Sequence, residues 1–171
     1  MHKSIAEIKK EFEQAEESQV DILCCAYGED SRTGVQNLIR KARKAQESLA
    51  QERERTKRLK EFEYKYEYLG YVCGIDEVGR GPLAGPVVAG AVILPKDSQI
   101  LYLNDSKQLS AKRREELYDI IMEQAVSVGI GYSSPARIDE INILQATYEA
   151  MREAIGKLNP VSYTHLRAHE T

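Results

Sequence analysis

Asp76 and Glu77 are adjacent carboxylates, with Gly79, Arg80, Gly81 and Gly85 close behind. Carboxylate oxygens are what a hard divalent cation such as Mg²⁺ or Mn²⁺ needs, provided they project from a rigid element into an open site. Tyr71 to Asp76 reads as a strand, so the pair stands where a strand gives way to a Gly-rich turn. Successive strand side chains point to opposite faces, and both can reach one site only if the backbone kinks near Glu77, which the glycines permit. Gly79-Arg80-Gly81 adds a second chemistry, because N–H groups flanked by glycines can approach a phosphate or sugar closely while Arg80 supplies charge. The same run also fits an acidic, Gly-rich hairpin loop kept for its turn geometry, and these residues alone leave both readings open.

The surrounding pattern supplies elements to position this run. Val87 to Leu94 reads as a buried strand and Val126 to Tyr132 as a third. Ser110 is an N-cap for a helix whose apolar face is Leu117, Ile120, Ile121 and Ala125, and Ile141, Leu144, Tyr148, Met151 and Ile155 mark another helix. The order β, β, helix, β, helix indicates an α/β fold, a mixed sheet with flanking helices.

Upstream the period is helical. Ile5, Ile8, Phe12 and Ala15 form one stripe; Val35, Leu38, Ile39, Ala42, Ala45 and Leu49 form a second after the turn-like Gly28 to Ser31, so two amphipathic helices are expected. From Gln51 to Lys60 apolar residues almost vanish, which predicts an exposed helix with i,i+4 pairs and a hinge to the following domain. Phe62, Tyr64, Tyr66 and Tyr68 alternate as in a strand, but the flanking Glu and Lys and the stop at Gly70 favour a helix with Gly at its C-terminal cap.

The 171 residues suffice for one domain plus an extension. The net charge of −3 argues against gripping nucleic acid by bulk electrostatics, but it hides an uneven spread: residues 1–30 carry eight acids and three bases, residues 40–60 nine bases and three acids. The longest apolar stretch, Val87 to Leu94, is far short of the ~20 residues a bilayer needs. Met1 to Glu17 is charged throughout, unlike a signal peptide. Three cysteines without zinc spacing suit a reducing cytoplasm.

Residues 74–94, GIDEVGRGPLAGPVVAGAVIL, resemble the opening motif of ribonuclease HII, and the likeness continues through Asn104 to Ser110 and Ile138 to Ile143. Three motifs in order over about seventy residues are far more specific than a lone Gly pattern. The N-terminal helices resemble the extension on some bacterial members. The resemblance implies a partial RNase H-like fold over residues 63–160, preceded by a helical extension over 1–62. It implies an endonuclease that cuts the RNA strand of RNA–DNA hybrids and at ribonucleotides embedded in duplex DNA, by two-metal hydrolysis that leaves 5′-phosphate ends. Asp76 and Glu77 correspond to the first two of four metal-binding carboxylates, the cation being Mn²⁺ or Mg²⁺. Gly79, Arg80 and Gly81 correspond to the sensor of the 2′-hydroxyl at the junction. Lys107, with Lys112, Arg113 and Arg114, is expected to face the duplex backbone, although an exposed helix face explains Arg113 and Arg114 equally well. Asp105 and Ser106 are expected to shape their loop, and Asn142 to touch substrate or cap its helix. A monomer is expected for a complete member.

The sequence departs from the family after Pro160. A complete member continues into a strand bearing a third carboxylate, then a fourth, then a Tyr near the ribose, whereas Glu170 is the only acid here after Glu153. Residues 161–171 resemble a translated adapter and are expected to be a non-native tail; His165 and His169 lie one helical turn apart but lack a third ligand nearby. Little or no nuclease activity is expected of the chain as written, and the strand of Asp76 is expected to be an exposed edge. The alternative is a non-catalytic module that binds nucleic acid or a partner through the basic helix at 40–60.

Overall fold

The computed structural model describes residues 3–81 and 84–159, so the expected tail at 161–171 and its histidine pair lie outside the described residues. The chain divides into two compact units between Lys57 and Arg58.

The first unit contains α1 (Ile5–Gln14), α2 (Glu17–Ala26) and most of α3 (Thr33–Leu59). Ser4 starts α1: its hydroxyl accepts from the Glu7 N–H while the Glu7 carboxylate accepts from the Ser4 N–H, so two donors at the helix start are satisfied reciprocally. Where two helices were expected there are three. The additional one, α2, places Val20, Cys24 and Tyr27 on one side at helical spacing, a stripe easily lost between the Glu16–Glu17 pair and the polar turn at Gly28. The core of this unit is Ile8, Cys24, Val35 and Ile39, with Phe12, Val20, Leu38 and Ala42 packed around it. Tyr27 stacks obliquely on Phe12 and donates its hydroxyl to Glu11 at 2.5 Å, giving its polar end a partner. The charged stretch from Gln51 onward continues α3, with Arg55–Glu52 and Lys57–Glu54 pairs at i,i+3 spacing.

The second unit opens with α4 (Glu61–Tyr66) and a 3₁₀ turn, Glu67–Leu69, that ends at Gly70 with φ +106°, the expected glycine cap. Three strands follow: β1 (Gly74–Val78), β2 (Val87–Ile93) and β3 (Ser127–Ser133). Both pairings are antiparallel and β2 is central, with Asp76 opposite Gly90 and Ala89 opposite Gly131. The helices are α5 (Ala111–Gln124), α6 (Pro135–Ile141) and α7 (Ile143–Gly156). Ser110 caps α5 as expected, accepting from the Arg113 N–H at 3.2 Å. The single helix expected around Ile141 is two: Asn142 takes φ +71°, which breaks the helix, and its side chain accepts from the Leu144 and Gln145 N–H groups to start α7.

One face of the sheet is covered by α7. Val87, Ala89, Ala91 and Ile93 of β2 are buried against Ala150, Ala154 and Leu158. Small residues let the layers approach closely. A Cβ on Gly131 would collide with the Ala150 carbonyl oxygen and stand 2.7 Å from the Ala154 nitrogen, so β3 and α7 meet backbone to backbone. Arg137 ties α6 to α7 through a bidentate pair with Glu149 (2.9 and 2.6 Å) and also bonds Glu140. The opposite face leaves Val78, Ile130 and Tyr132 exposed, and among the described residues β1 pairs with β2 alone, as an edge strand. No described helix is long and apolar enough to cross a membrane.

Candidate functional site

The strand carrying the two carboxylates begins and ends later than the sequence suggests, at Gly74 and Val78. It keeps its register through Glu77, opposite Ala89, and Val78, opposite Val88. The kink at Glu77 that a shared site would require is therefore not formed; the ladder continues past it and the chain turns at Gly79. Burial alternates along β1, so Asp76 shares the exposed face with Val78 whereas Glu77 shares the half-buried face with Ile75. The two carboxylates stand on opposite faces of β1, so a shared ion would have to be reached around the strand's unpaired edge.

The turn at Gly79 has a specific cause. Its φ is +99°, and a Cβ there would run into the Pro86 carbonyl oxygen and stand 3.3 Å from the Val87 Cα. Gly81, by contrast, has open space where a side chain would stand. The incoming and outgoing arms of the β1–β2 connection thus touch at Gly79, which fixes where Arg80 leaves the sheet. Arg80 does not point freely at solvent: its guanidinium donates to Glu77 Oε1 at 3.2 Å, and both side chains keep contact with water. The sequence pattern suggests a phosphate-seeking charge at Arg80 and does not reveal this pair, although the i,i+3 spacing was the available signal. Asp76 Oδ1 accepts from the Glu77 N–H at 2.9 Å, which orients its carboxylate along the strand end. Burial pushes the Cys73 thiol, just ahead of β1, above its ordinary range, an effect partly offset by a hydrogen bond with the Val92 backbone.

Lys107 lies in a separate loop, on the 3₁₀ turn Ser106–Gln108. Asp105 caps that turn by accepting from the Lys107 N–H at 2.9 Å, and Asn104 Nδ2 donates to Gln108 at 3.0 Å. The Lys107 ammonium is exposed and makes no hydrogen bond or ion pair among the described residues. Two neighbouring cations behave otherwise. Arg114 donates to the Ser106 and Leu109 carbonyls at 3.2 and 2.6 Å, which fastens the loop to α5, and Arg113 pairs with Glu116 and lies 4.9 Å from the Tyr102 ring centroid. Arg114 thus holds the Lys107 loop, whereas Arg113 is engaged with Glu116 on its own helix and with Tyr102. Asn142, whose side chain spans two N–H groups of α7, acts as a cap. Among the described residues no three potential metal ligands gather in one place.

The ribonuclease HII family model matches residues 73–167, and the ribonuclease HII N-terminal domain model matches residues 4–67. The chain is 60% identical over 161 residues to the ribonuclease HII of Lachnoclostridium phytofermentans, covering 94% of this chain and 63% of that protein. It is 46% identical over 163 residues to the ribonuclease HII of Leuconostoc mesenteroides, covering 94% and 64%. A crystal structure of ribonuclease H2 from Pyrococcus horikoshii superposes with a TM-score of 0.44 at 28% identity, over 52% of this chain and 45% of that one. The chain thus spans less than two thirds of the length of these relatives.

Proposed function

Because the chain belongs to the ribonuclease HII family, we propose that it carries the Asp76–Glu77 portion of an endonuclease active site, one that hydrolyses the RNA strand of RNA–DNA hybrids and cuts at ribonucleotides embedded in duplex DNA. The observation that carries this reading is the position of both carboxylates at the end of an edge strand, directly before a turn whose Gly79 has no room for a side chain.

Two hard, accessible carboxylates suit Mn²⁺ or Mg²⁺, and Asp76 and Glu77 are the residues that would hold it. Such a cation supplies Lewis acidity and an activated water at neutral pH. The chain's own contribution is placement. Gly79 and Gly81 bring backbone N–H groups close to the ribose at the junction, where a 2′-hydroxyl distinguishes RNA from DNA. Arg80 holds Glu77 through its guanidinium, which would be free to meet a phosphate if Glu77 held a cation. Lys107, on its fastened loop, adds sequence-independent attraction to the duplex backbone. The cut leaves a 5′-phosphate end. A cytoplasmic setting suits the three free cysteines.

Among the described residues no third ligand joins these two carboxylates, and two alone hold a divalent ion weakly, so we expect these 171 residues alone to leave such a duplex uncut. The test joins residues 1–159 to the part of the Lachnoclostridium phytofermentans relative that lies beyond the match. Cleavage of a duplex with a single ribonucleotide, giving a 5′-phosphate product, supports the proposed function. A folded chimera that leaves the duplex intact contradicts it.

A further inference from the structure

Six of the eleven Lys and Arg residues of the first unit are engaged in ion pairs. Lys3 pairs with Glu11, Lys9 with Glu13, Arg32 with Asp30, Arg53 with Glu17, Arg55 with Glu52 and Lys57 with Glu54. Lys10 on α1 and four residues within little more than one turn of α3 depart from this habit: the side chains of Arg40, Lys41, Arg43 and Lys44 are all exposed, and none makes an ion pair or hydrogen bond among the described residues. Glu47, at i+4 from Arg43, makes no ion pair with it either. Arg40–Lys44 at i,i+4, with Arg40–Arg43 and Lys41–Lys44 at i,i+3, are like-charge neighbours, an arrangement that destabilises a helix unless a polyanion neutralises it.

From these residues we infer that the 40–44 face of α3 is a docking surface for the phosphate backbone of duplex nucleic acid. The four cations span about 6 Å of helix axis. A duplex presents one phosphate charge per about 1.7 Å of its own axis, a comparable linear density of opposite sign. The recognition is independent of sequence, since the face offers charge without an array of side chains suited to base edges. An anionic lipid surface fits less well. An interfacial helix must insert an apolar face, whereas the apolar stripe of α3, Val35, Leu38, Ile39 and Ala42, is engaged with Ile8 and Cys24 in the unit's own core. The surface needs neither Asp76 nor Glu77, so it stands or falls separately from the nuclease reading.

The test uses the 171-residue chain, a fluorescein-labelled all-DNA duplex and EDTA, so that neither a metal nor cleavage enters. Fluorescence anisotropy is followed across a salt series for the wild type, for the stripe variant Arg40→Gln/Lys41→Gln/Arg43→Gln/Lys44→Gln, and for a charge-matched variant of paired cations, Lys9→Gln/Arg53→Gln/Arg55→Gln/Lys57→Gln. The stripe variant is expected to lose roughly tenfold or more in affinity at low salt and to flatten the slope of log K against log salt by about 2 to 4. The charge-matched variant is expected to lose clearly less. Wild-type affinity in the stripe variant overturns the proposal, as does an equal loss in both variants, or binding by the wild type to phosphatidylserine vesicles but not to the duplex. Should the quadruple variant fold poorly, the double variant Arg40→Gln/Lys44→Gln, which touches only exposed positions, is expected to show the same loss at smaller amplitude, and wild-type affinity in it overturns the proposal equally.

Discussion

The carbonyl oxygen of Pro86 occupies the place where a side chain on Gly79 would begin, so the two arms of the β1–β2 connection are held in backbone contact immediately after the Asp76–Glu77 pair. Gly79→Ala must therefore separate the arms and also hold a residue with a Cβ at φ +99°. The expected cost is about 1–3 kcal/mol from the backbone conformation alone, with steric strain added to it. Urea unfolding followed by circular dichroism measures it. Gly81→Ala, with open space around it, is the internal comparison and should cost much less.

The same logic applies where β3 meets α7. Gly131→Val pushes a side chain into the Ala150 carbonyl and the Ala154 nitrogen, both backbone atoms that cannot swing aside. Destabilisation of about 3 kcal/mol or more, or failure to fold, is expected. A substitution at Gly90, on the exposed face of β2, should be tolerated to within about 1 kcal/mol.

Arg80 has opposed effects on the two chemistries of the site. Arg80→Gln removes the guanidinium that engages Glu77, so Mn²⁺ affinity, read by titration calorimetry, is expected to rise by a few-fold. Affinity for duplex DNA in EDTA is expected to fall with the same substitution. A fall in both would show that Arg80 supports the carboxylates rather than competing for them.

Stability should fall on acidification for an identifiable reason. Lys157, and then the Tyr132 N–H, hold the Glu153 carboxyl below its ordinary value of 4.5, and Arg137 does the same for Glu149. A carboxyl lowered in the folded state contributes stability that is fully present above the unfolded value and is lost as pH falls through the folded one. Glu149→Gln and Glu153→Gln should thus lower the melting temperature at pH 7. That difference should shrink as pH drops below 4.5 and vanish once the native carboxyls are protonated.

Much of this architecture was legible in the chain. Ser110 and Gly70 marked helix ends through local chemistry, and β2 was readable because Val87 to Ile93 is continuously apolar or small. The adjacent acids and the Gly79–Arg80–Gly81 turn stood out because few other patterns bring those residue types together. What was not legible depended on partners distant in space or on single backbone angles. The helix break at Asn142 rests on one positive φ that apolar periodicity does not register. The collision of Gly79 with Pro86 requires knowing that the hairpin arms touch. For Arg113 and Arg114 the sequence left a duplex-facing role and an exposed helix face equally open, and their contacts with Tyr102, Glu116 and the Ser106 and Leu109 carbonyls could not be read from it.

The most direct test of the Asp76 assignment is the cleavage rate of the chimera with the Lachnoclostridium phytofermentans relative, in Mn²⁺, on a duplex containing one ribonucleotide, before and after Asp76→Asn. Asparagine keeps the size of the side chain but removes the charge that a hard cation requires. A loss of more than about 100-fold is expected, with duplex binding in EDTA unchanged, since removing a direct ligand should exceed the 10–100-fold typical of residues that merely support one. Cleavage within about threefold of the parent rate would show that Asp76 serves the strand and not a metal ion.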